Sequence, residues 1–298
     1  MRFNPRARVD QSQIESRGGT GGGLGGGRLT LGGVVLLGAV FLINQFTGVD
    51  LSSLIGAGGD PGTTQSNPVS CDNGAANRND ECAIALITES VQNYWASEYP
   101  TQVQGSPAYE KIRTVTFHGS TASGCGAASS ATGPFYCPND KRVYIDTTFM
   151  DDMLRGSLGA EGGPFALGYV IGHEYGHHVE DQLGILGQMR TQQGPRSDSV
   201  KAELMADCLG GMWARAAEKT RDTEGNAIIE DITADDVARA VDAATAVGDD
   251  RIQKASTGTV DTESWTHGSS KQRVHWFNVG LKGGSIDGCD TFKPGALD

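Results

Sequence analysis

The sequence has few basic residues for its length. Its 298 residues include 24 lysines and arginines against 36 aspartates and glutamates, for a net charge of −12. Residues 1–28 carry a local charge of +3, so the rest of the chain carries −15. The acidic remainder has little basic charge to neutralise a phosphate backbone, which argues against nucleic acid as a partner.

Cysteine is absent from the first 70 residues, and no two cysteines have the C-x-x-C spacing of common zinc-binding pairs. The six that are present are Cys71, Cys82, Cys125, Cys137, Cys208 and Cys289. An even number in an exported domain predicts disulfides, although sequence alone leaves many pairings open. The short separations favour Cys71 with Cys82, Cys125 with Cys137, and Cys208 with Cys289. A cysteine-ligated zinc site is the alternative.

The sequence also has few long stretches without a charged residue. Residues 29–46 ("LTLGGVVLLGAVFLINQF") form an eighteen-residue run without a charge, close to the length that spans a bilayer as a helix. We predict a single transmembrane helix here, with a cleaved signal peptide and a buried core helix as alternatives. The positive charge before it predicts a cytoplasmic N terminus, an extracytoplasmic domain and the lipid bilayer as a partner.

Composition divides the remaining chain into segments. Residues 1–28 form a Gly/Arg-rich tail whose residues 18–27 include eight glycines in ten positions, typical of a flexible tether. Residues 47–70 mix Gly, Ser, Thr and Pro, as expected of a flexible linker. Residues 71–298 are then predicted to fold as one domain.

Apolar periodicity within that domain predicts a helix over residues 82–98 and two more over 166–183 and 200–218. Thr233 opens another helix that Gly248 closes, and Ser269 begins the last one with a capping box to Gln272. Clusters of β-branched and aromatic residues predict strands at 113–118 and 142–146. Strands followed by helices indicate an α+β fold.

Three of the six histidines lie within "GHEYGHHVED" (residues 172–181). His173 and His177 are four residues apart, so both imidazoles lie on one helix face and can bind one ion. Glu174 is rotated about 100° from His173 and can reach a water on that ion. This H-E-x-x-H spacing is typical of zinc sites in which the glutamate is the general base. His178 is rotated off the ligand face and is predicted to be a polar neighbour.

A catalytic zinc ion takes three protein ligands and leaves the fourth position for water. In "KAELMADCLG" (residues 201–210), Glu203 and Asp207 are four residues apart and share one face of the next helix. We predict Glu203 as the third ligand of Zn²⁺. Asp207 is predicted to accept the free ring N–H of a zinc-binding histidine.

Small residues run beside both ligand rows. They are Gly168, Gly172 and Gly176 on the first helix and Ala202, Ala206 and Gly210 on the second. We expect these two stripes to pack on each other, because glycine inside a helix is costly unless the backbone must approach a neighbour closely.

The three remaining histidines differ in their surroundings. His118 and His275 are predicted to be structural, since they are isolated in a strand and in an amphipathic helix. His267 lies in a loop, "WTHGSS" (residues 265–270), just before a helix. A side chain in such a loop can project into a cleft, and we expect His267 to stabilise the oxyanion of a tetrahedral intermediate.

These motifs resemble the pattern of thermolysin-like zinc peptidases. More closely, they resemble a bacterial family of neutral zinc metallopeptidases, single-pass proteins with a charged, glycine-rich N-terminal tail. The resemblance rests on "GPFYCPND" (133–140), "VYID" (143–146), "GHEYGHHVEDQLG" (172–184), "ELMADCLGGMWA" (203–214) and "THGSSKQRVHWF" (266–277). It implies a zincin-like α+β fold with "VYID" in the sheet near the active-site helix, and Glu203 as a zinc ligand.

The expected activity is that of a membrane-anchored zinc endopeptidase with peptide or protein substrates. Zinc held by His173, His177 and Glu203 lowers the pKa of a bound water, and Glu174 takes a proton from that water and passes it to the leaving amine. One alternative is a non-catalytic ectodomain that zinc stabilises and that binds a partner in the cell envelope. Another is a zinc hydrolase acting on a non-peptide amide.

Overall fold

The computed structural model describes residues 1–17, 66–67, 69, 71, 74–105 and 107–298. This part of the chain combines helices with small sheets, so the predicted α+β class is confirmed. The strands are β1 (Arg2–Phe3), β2 (Ile14–Arg17), β3 (Ser66–Asn67), β4 (Arg113–Phe117), β5 (Ser120–Ser123), β6 (Gly126–Ser129), β7 (Phe135–Cys137), β8 (Arg142–Asp146) and β9 (Ile229–Asp231). The α-helices are α1 (Asp80–Gln102), α2 (Pro164–Gln182), α3 (Asp198–Ala216), α4 (Ala234–Ala246), α5 (Asp249–Thr257) and α6 (Ser270–Leu281).

The main sheet has five strands in the order β3-β2-β4-β8-β7. β2, β4 and β8 run parallel, while β3 and β7 are antiparallel strands at the two edges. β1 pairs with β9, and β5 pairs with β6, in two smaller antiparallel sheets. The edge strand β7 lies next to α2. The "VYID" segment falls within β8, one strand further into the sheet.

Large aromatic side chains join the helices in the core. Trp95 of α1, Tyr175 of α2 and Trp213 of α3 are fully buried. The Tyr175 hydroxyl lies 2.9 Å from Thr114 Oγ1 on β4, which connects α2 to the sheet. The helix that carries the H-E-x-x-H motif is therefore fixed on both sides, by the sheet and by α3.

The predicted helices and strands are confirmed, with ends that shift by a few residues. Ser269 caps α6, and its side chain and that of Gln272 form the expected capping box. Thr233 caps α4 in the same way, with Asp236 as its partner. The sequence does not predict α5, because Gly248 is typical only of a helix end. The chain leaves α4 at Gly248 and immediately starts α5, which has two aspartates in its first turn.

The N-terminal segment belongs to the fold, which corrects the predicted membrane topology. In the described part of the chain no helix combines the length and the apolar character needed to cross a bilayer. β2 pairs with β4 along its whole length, from Ile14 opposite Thr114 to Arg17 opposite Phe117. Neighbouring strands of one sheet cannot lie on opposite sides of a membrane. The prediction of a single-pass protein with a cytoplasmic N terminus and an extracytoplasmic domain is therefore wrong.

Three of the predicted segments fall outside the residues that the structure describes. They are the glycine tether (18–27), the apolar run (29–46) and nearly all of the linker (47–70).

The three predicted disulfides are confirmed: Cys71–Cys82, Cys125–Cys137 and Cys208–Cys289.

The small-residue stripes of α2 and α3 contact each other at two positions. A Cβ added at Gly176 would lie 2.8 Å from the Ala206 Cα, and one added at Gly210 would lie 3.1 Å from the Gly172 carbonyl carbon. Gly168 instead makes room for the indole of Trp213, which a Cβ would approach to 2.9 Å. The expected contact between the stripes is confirmed at these two pairs, and it brings the ligand-bearing faces of the two helices together.

Candidate metal centre

Three predicted ligands meet where α2 crosses α3. One ligand atom from each of His173, His177 and Glu203 lies within 4.8 Å of the other two. His173 Nε2 is 3.2 Å from Glu203 Oε2, and His177 Nε2 is 3.5 Å from Glu203 Oε1. Two ligands bound to one zinc ion at about 2.0–2.2 Å with a near-tetrahedral angle are themselves about 3.4 Å apart. The two distances from the imidazoles to Glu203 therefore match what zinc requires.

One carboxylate oxygen of this group is left without a hydrogen bond in the part of the chain that the structure describes. Among the described residues Glu203 Oε2 is buried and has no hydrogen-bond partner. Such an atom is costly to leave unpaired in a protein interior, unless a cation binds it. The residues present therefore fit a divalent cation such as zinc.

Asp207 lies behind His173. His173 Nδ1 is 3.0 Å from Asp207 Oδ1, and the Tyr169 hydroxyl donates to the same oxygen at 2.6 Å. A donor on Nδ1 leaves the lone pair on Nε2, the nitrogen that faces Glu203. Burial disfavours the charged ring, but the contacts with Asp207 and Glu203 outweigh burial and raise the pKa of His173 to about 8.

Glu180 plays the corresponding part behind His177. It lies three residues further along α2, is fully buried, and its Oε2 is 2.8 Å from His177 Nδ1. Burial raises the pKa of the Glu180 carboxyl to about 7. Each of the two candidate ligand imidazoles thus contacts a carboxylate through Nδ1, and its Nε2 faces Glu203.

Glu174 follows His173 directly in α2 and is buried with it. Its side chain is 7% exposed, and burial raises the pKa of its carboxyl, whereas the nearby His173 and His177 lower it. A buried carboxylate with a raised pKa is a better proton acceptor than an ordinary surface glutamate.

His267 is held at the edge of the site by Asp249, the first residue of α5. Asp249 Oδ2 accepts the backbone N–H groups of Thr266, His267 and Gly268 at 2.9, 2.7 and 2.9 Å. His267 Nδ1 is 3.2 Å from Asp249 Oδ1, so Nε2 is the ring nitrogen turned away from Asp249. Burial raises the pKa of the Glu203 carboxyl, but the charge of His267 is among the effects that hold this pKa well below its usual range.

The other three histidines lie away from the ligands. His178 is fully buried; its Nε2 is 2.8 Å from the Glu110 carbonyl oxygen and its Nδ1 is 3.1 Å from the Tyr136 hydroxyl. It therefore supports the packing of α2 against β7, which agrees with its predicted role as a polar neighbour. His118 and His275 are exposed, the first just after β4 and the second on α6.

Comparison with known proteins gives the family of this chain. The family model described as "Putative neutral zinc metallopeptidase" matches residues 1–292. The chain belongs to this family. The match includes the N-terminal strands β1 and β2 as well as the metal centre.

Two relatives show how far the similarity of this zinc metallopeptidase family member extends. It is 42% identical over 230 residues to the uncharacterized protein Rv2575 of Mycobacterium tuberculosis (strain ATCC 25618 / H37Rv), and this match covers 76% of each chain. It is 38% identical over 306 residues to the uncharacterized protein YpfJ of Escherichia coli (strain K12), covering 98% of this chain and 99% of the relative. No solved structure matches the chain.

Four site residues of this family member were not found from the sequence: Tyr169, Glu180, Asp249 and Arg273. Two of them could have been predicted from helical spacing. Tyr169 is four residues before His173, and Glu180 is three residues after His177, so each shares a helix face with a candidate ligand. Asp249 and Arg273 have no such spacing. Arg273 donates to Asp207 across 66 positions of sequence, and only the packing of α6 on α3 brings the two together.

Proposed function

We propose that this protein is a zinc-dependent endopeptidase in which His173, His177 and Glu203 bind the metal. The observation that carries the proposal is that Nε2 of His173 and Nε2 of His177 lie 3.2 and 3.5 Å from the two Glu203 carboxylate oxygens, with the buried Glu174 next to His173 in the chain. When zinc is bound, it supplies a Lewis acid that polarises a carbonyl and activates water near neutral pH.

Glu174 is the proposed general base. A structural zinc site is normally closed by four protein ligands and needs no acid beside it. In the described part of the chain the ligand group has three members, and Glu174 directly follows one of them, His173, in α2. Glu174 accepts a proton from the attacking water and returns it to the amine that leaves when the peptide bond breaks.

His267 is the proposed donor to the oxyanion. Asp249 fixes both the backbone and Nδ1 of His267, so the ring is held with Nε2 available to a substrate. A donor of this kind stabilises negative charge only if it is positioned before the reaction begins. The Asp249 contacts provide that positioning.

The test is cleavage of an unmodified peptide library by the purified full-length chain, with zinc, with a chelator, and with zinc restored after chelation. Products are identified by mass spectrometry. We expect cleavage that the chelator abolishes and zinc restores. Because a positioned general base contributes about 10²- to 10⁴-fold, Glu174→Gln is expected to lose activity by that factor while keeping its zinc.

His118→Gln is the matched control, because it replaces an exposed histidine outside the site and is expected to leave cleavage unchanged. A wild-type chain that binds zinc but cleaves no peptide would overturn the enzymatic proposal. Full activity in Glu174→Gln would remove the role given to that residue.

A further inference from the structure

Arg273 is a buried cation placed behind the metal centre. Its side chain is 4% exposed, although it belongs to α6, which contributes none of the three ligands. Nε donates to Asp207 Oδ2 at 2.9 Å and Nη2 donates to Asp207 Oδ1 at 3.0 Å. This two-point contact fixes the plane of the carboxylate as well as its position.

Asp207 therefore collects donors from two neighbouring helices. Tyr169 and His173 approach Oδ1 from α2, and Arg273 approaches both oxygens from α6. A fully buried carboxylate needs a compensating charge, and the guanidinium of Arg273 supplies it. The orientation of the His173 ring is set by Asp207, so it depends on Arg273 as well.

The same guanidinium also faces a ligand directly. Arg273 Nη2 is 3.7 Å from Glu203 Oε2 and 3.3 Å from His173 Nδ1. At 3.7 Å the guanidinium attracts the Glu203 carboxylate but does not form a hydrogen bond with it. Within the described residues, Oε2 has no hydrogen-bond partner. Arg273 thus acts on two of the three ligands at once.

The position of Arg273 is set by how closely α6 packs on α3. A Cβ at Gly280 would collide with the Cys208 carbonyl oxygen, and one at Gly211 would collide with the Phe277 carbonyl oxygen. The disulfide Cys208–Cys289 fastens the chain after α6 to α3, one residue from Asp207. Because the two backbones are in contact, the position of the Arg273 guanidinium beside Asp207 is fixed.

We propose that Arg273 is a positioning residue for the metal centre: through Asp207 and Glu203 it orders the ligands for zinc, so that zinc affinity depends on the docking of α6 on α3. This inference rests on the metal-binding part of the proposed function and not on peptide hydrolysis. Partners of this kind behind a ligand typically change metal affinity by about 10- to 100-fold.

The experiment measures the zinc dissociation constant of the full-length chain by competition with a chromogenic chelator at fixed pH. The variants are Arg273→Gln, Asp207→Asn and the double variant. We expect Arg273→Gln to bind zinc about 10- to 100-fold more weakly. In the Asp207→Asn background the same substitution is expected to cost less than about 3-fold, because residues that act through one another are not additive.

Arg273→Lys tests the geometry and also serves if Arg273→Gln does not fold. Lysine keeps the charge but cannot make the two-point contact, so its zinc affinity is expected to lie between those of the wild type and the glutamine variant. Arg239→Gln is the matched control. Arg239 on α4 pairs with Asp235 and Glu161 at the surface, and its loss is expected to leave zinc affinity unchanged.

Wild-type zinc affinity in Arg273→Gln or in Arg273→Lys would overturn the proposal. Equal losses in the wild-type background and in the Asp207→Asn background would do so too, because they would show that Arg273 does not act through Asp207. If the wild-type chain itself binds no zinc, it is the proposed function that fails. Zinc binding without peptide cleavage would leave the role of Arg273 intact.

Discussion

Gly176 of α2 lies against Ala206 of α3 so closely that a Cβ on the glycine would come within 2.8 Å of the alanine Cα and carbonyl oxygen. The next residue in α2 is His177, a proposed ligand, and Glu203 is one turn before Ala206 on α3. The distance between the two helix axes therefore sets the distance between two ligands.

Gly176→Ala is expected to lower the free energy of unfolding by about 1–3 kcal/mol and to weaken zinc binding, because the backbones must separate. Gly187→Ala is the matched control, since no atom lies within 4 Å of the added Cβ there. Urea denaturation and zinc competition measure the two effects. Equal stability of the two variants would show that the helices can separate without cost.

Asp249→Asn tests how His267 is positioned. Asparagine keeps an oxygen for the backbone N–H groups of residues 266–268 but removes the negative charge that faces the imidazole. We expect kcat to fall about 10-fold with little change in KM and no change in zinc content, because a misplaced donor affects the transition state more than substrate binding. Asp250→Asn, the adjacent residue of α5, is the comparison variant. A loss confined to KM would argue against the oxyanion role.

Phe3→Ala tests whether the N-terminal segment stabilises the folded protein. Phe3 is fully buried in the core, whereas its neighbour Arg2 is exposed. Removing a buried phenyl ring costs about 3–5 kcal/mol, so thermal or urea unfolding is expected to shift strongly. Arg2→Ala provides the control and is expected to change stability by less than about 0.5 kcal/mol. Matching behaviour of the two variants would mean that residues 1–17 are not held in the fold.

Glu89 of α1 predicts a pH dependence of stability. One carboxylate oxygen accepts the Asp10 N–H at 3.0 Å, and the other is buried without a partner in the part of the chain that the structure describes. Burial raises the pKa of Glu89 to about 7, and the charges of Asp10 and Asp222 add to this, while the Asp10 hydrogen bond and Lys111 oppose it. The folded state therefore binds this proton more tightly than the unfolded chain does.

The stabilisation from the neutral carboxyl is complete below the unfolded pKa of 4.5 and is lost as the pH rises through about 7. Glu89→Gln stays neutral and can still accept the Asp10 N–H. Its stability relative to the wild type is expected to grow by about 2 kcal/mol between about pH 4 and about pH 8, after allowance for solvent screening. Urea titrations at several pH values measure the difference, with the exposed Glu263→Gln as a control. A difference that is constant with pH would contradict the prediction.

Local patterns in the sequence predict the candidate ligands and Asp207, but not the residues that reach this group from other parts of the fold. His173, His177 and the pair Glu203 and Asp207 follow from four-residue spacing on two helices. Arg273 acts across the fold, and its role depends on the contact between α6 and α3, which no local spacing encodes. Asp249 is similar, because its three backbone donors come from a loop that lies 17 to 19 positions later in the chain, after α5 has ended.

The N-terminal segment gives a misleading signal for a related reason. Arginines before an uncharged run are the usual sign of a cytoplasmic tail and a membrane helix. β2 is only four residues long, and it gains its stability from pairing with β4, about 100 positions later in the chain. A short strand whose partner is distant in sequence has little local sequence pattern from which it can be predicted.

The most direct test of the account is the zinc content of the purified full-length chain and two variants, measured by elemental analysis after dialysis against metal-free buffer. We predict about one zinc ion per chain in the wild type and in Glu174→Gln, and none in Glu203→Ala, because three protein ligands hold the ion and Glu174 is not one of them. A wild-type chain without zinc, or a Glu203→Ala variant that keeps a full complement, would contradict the account.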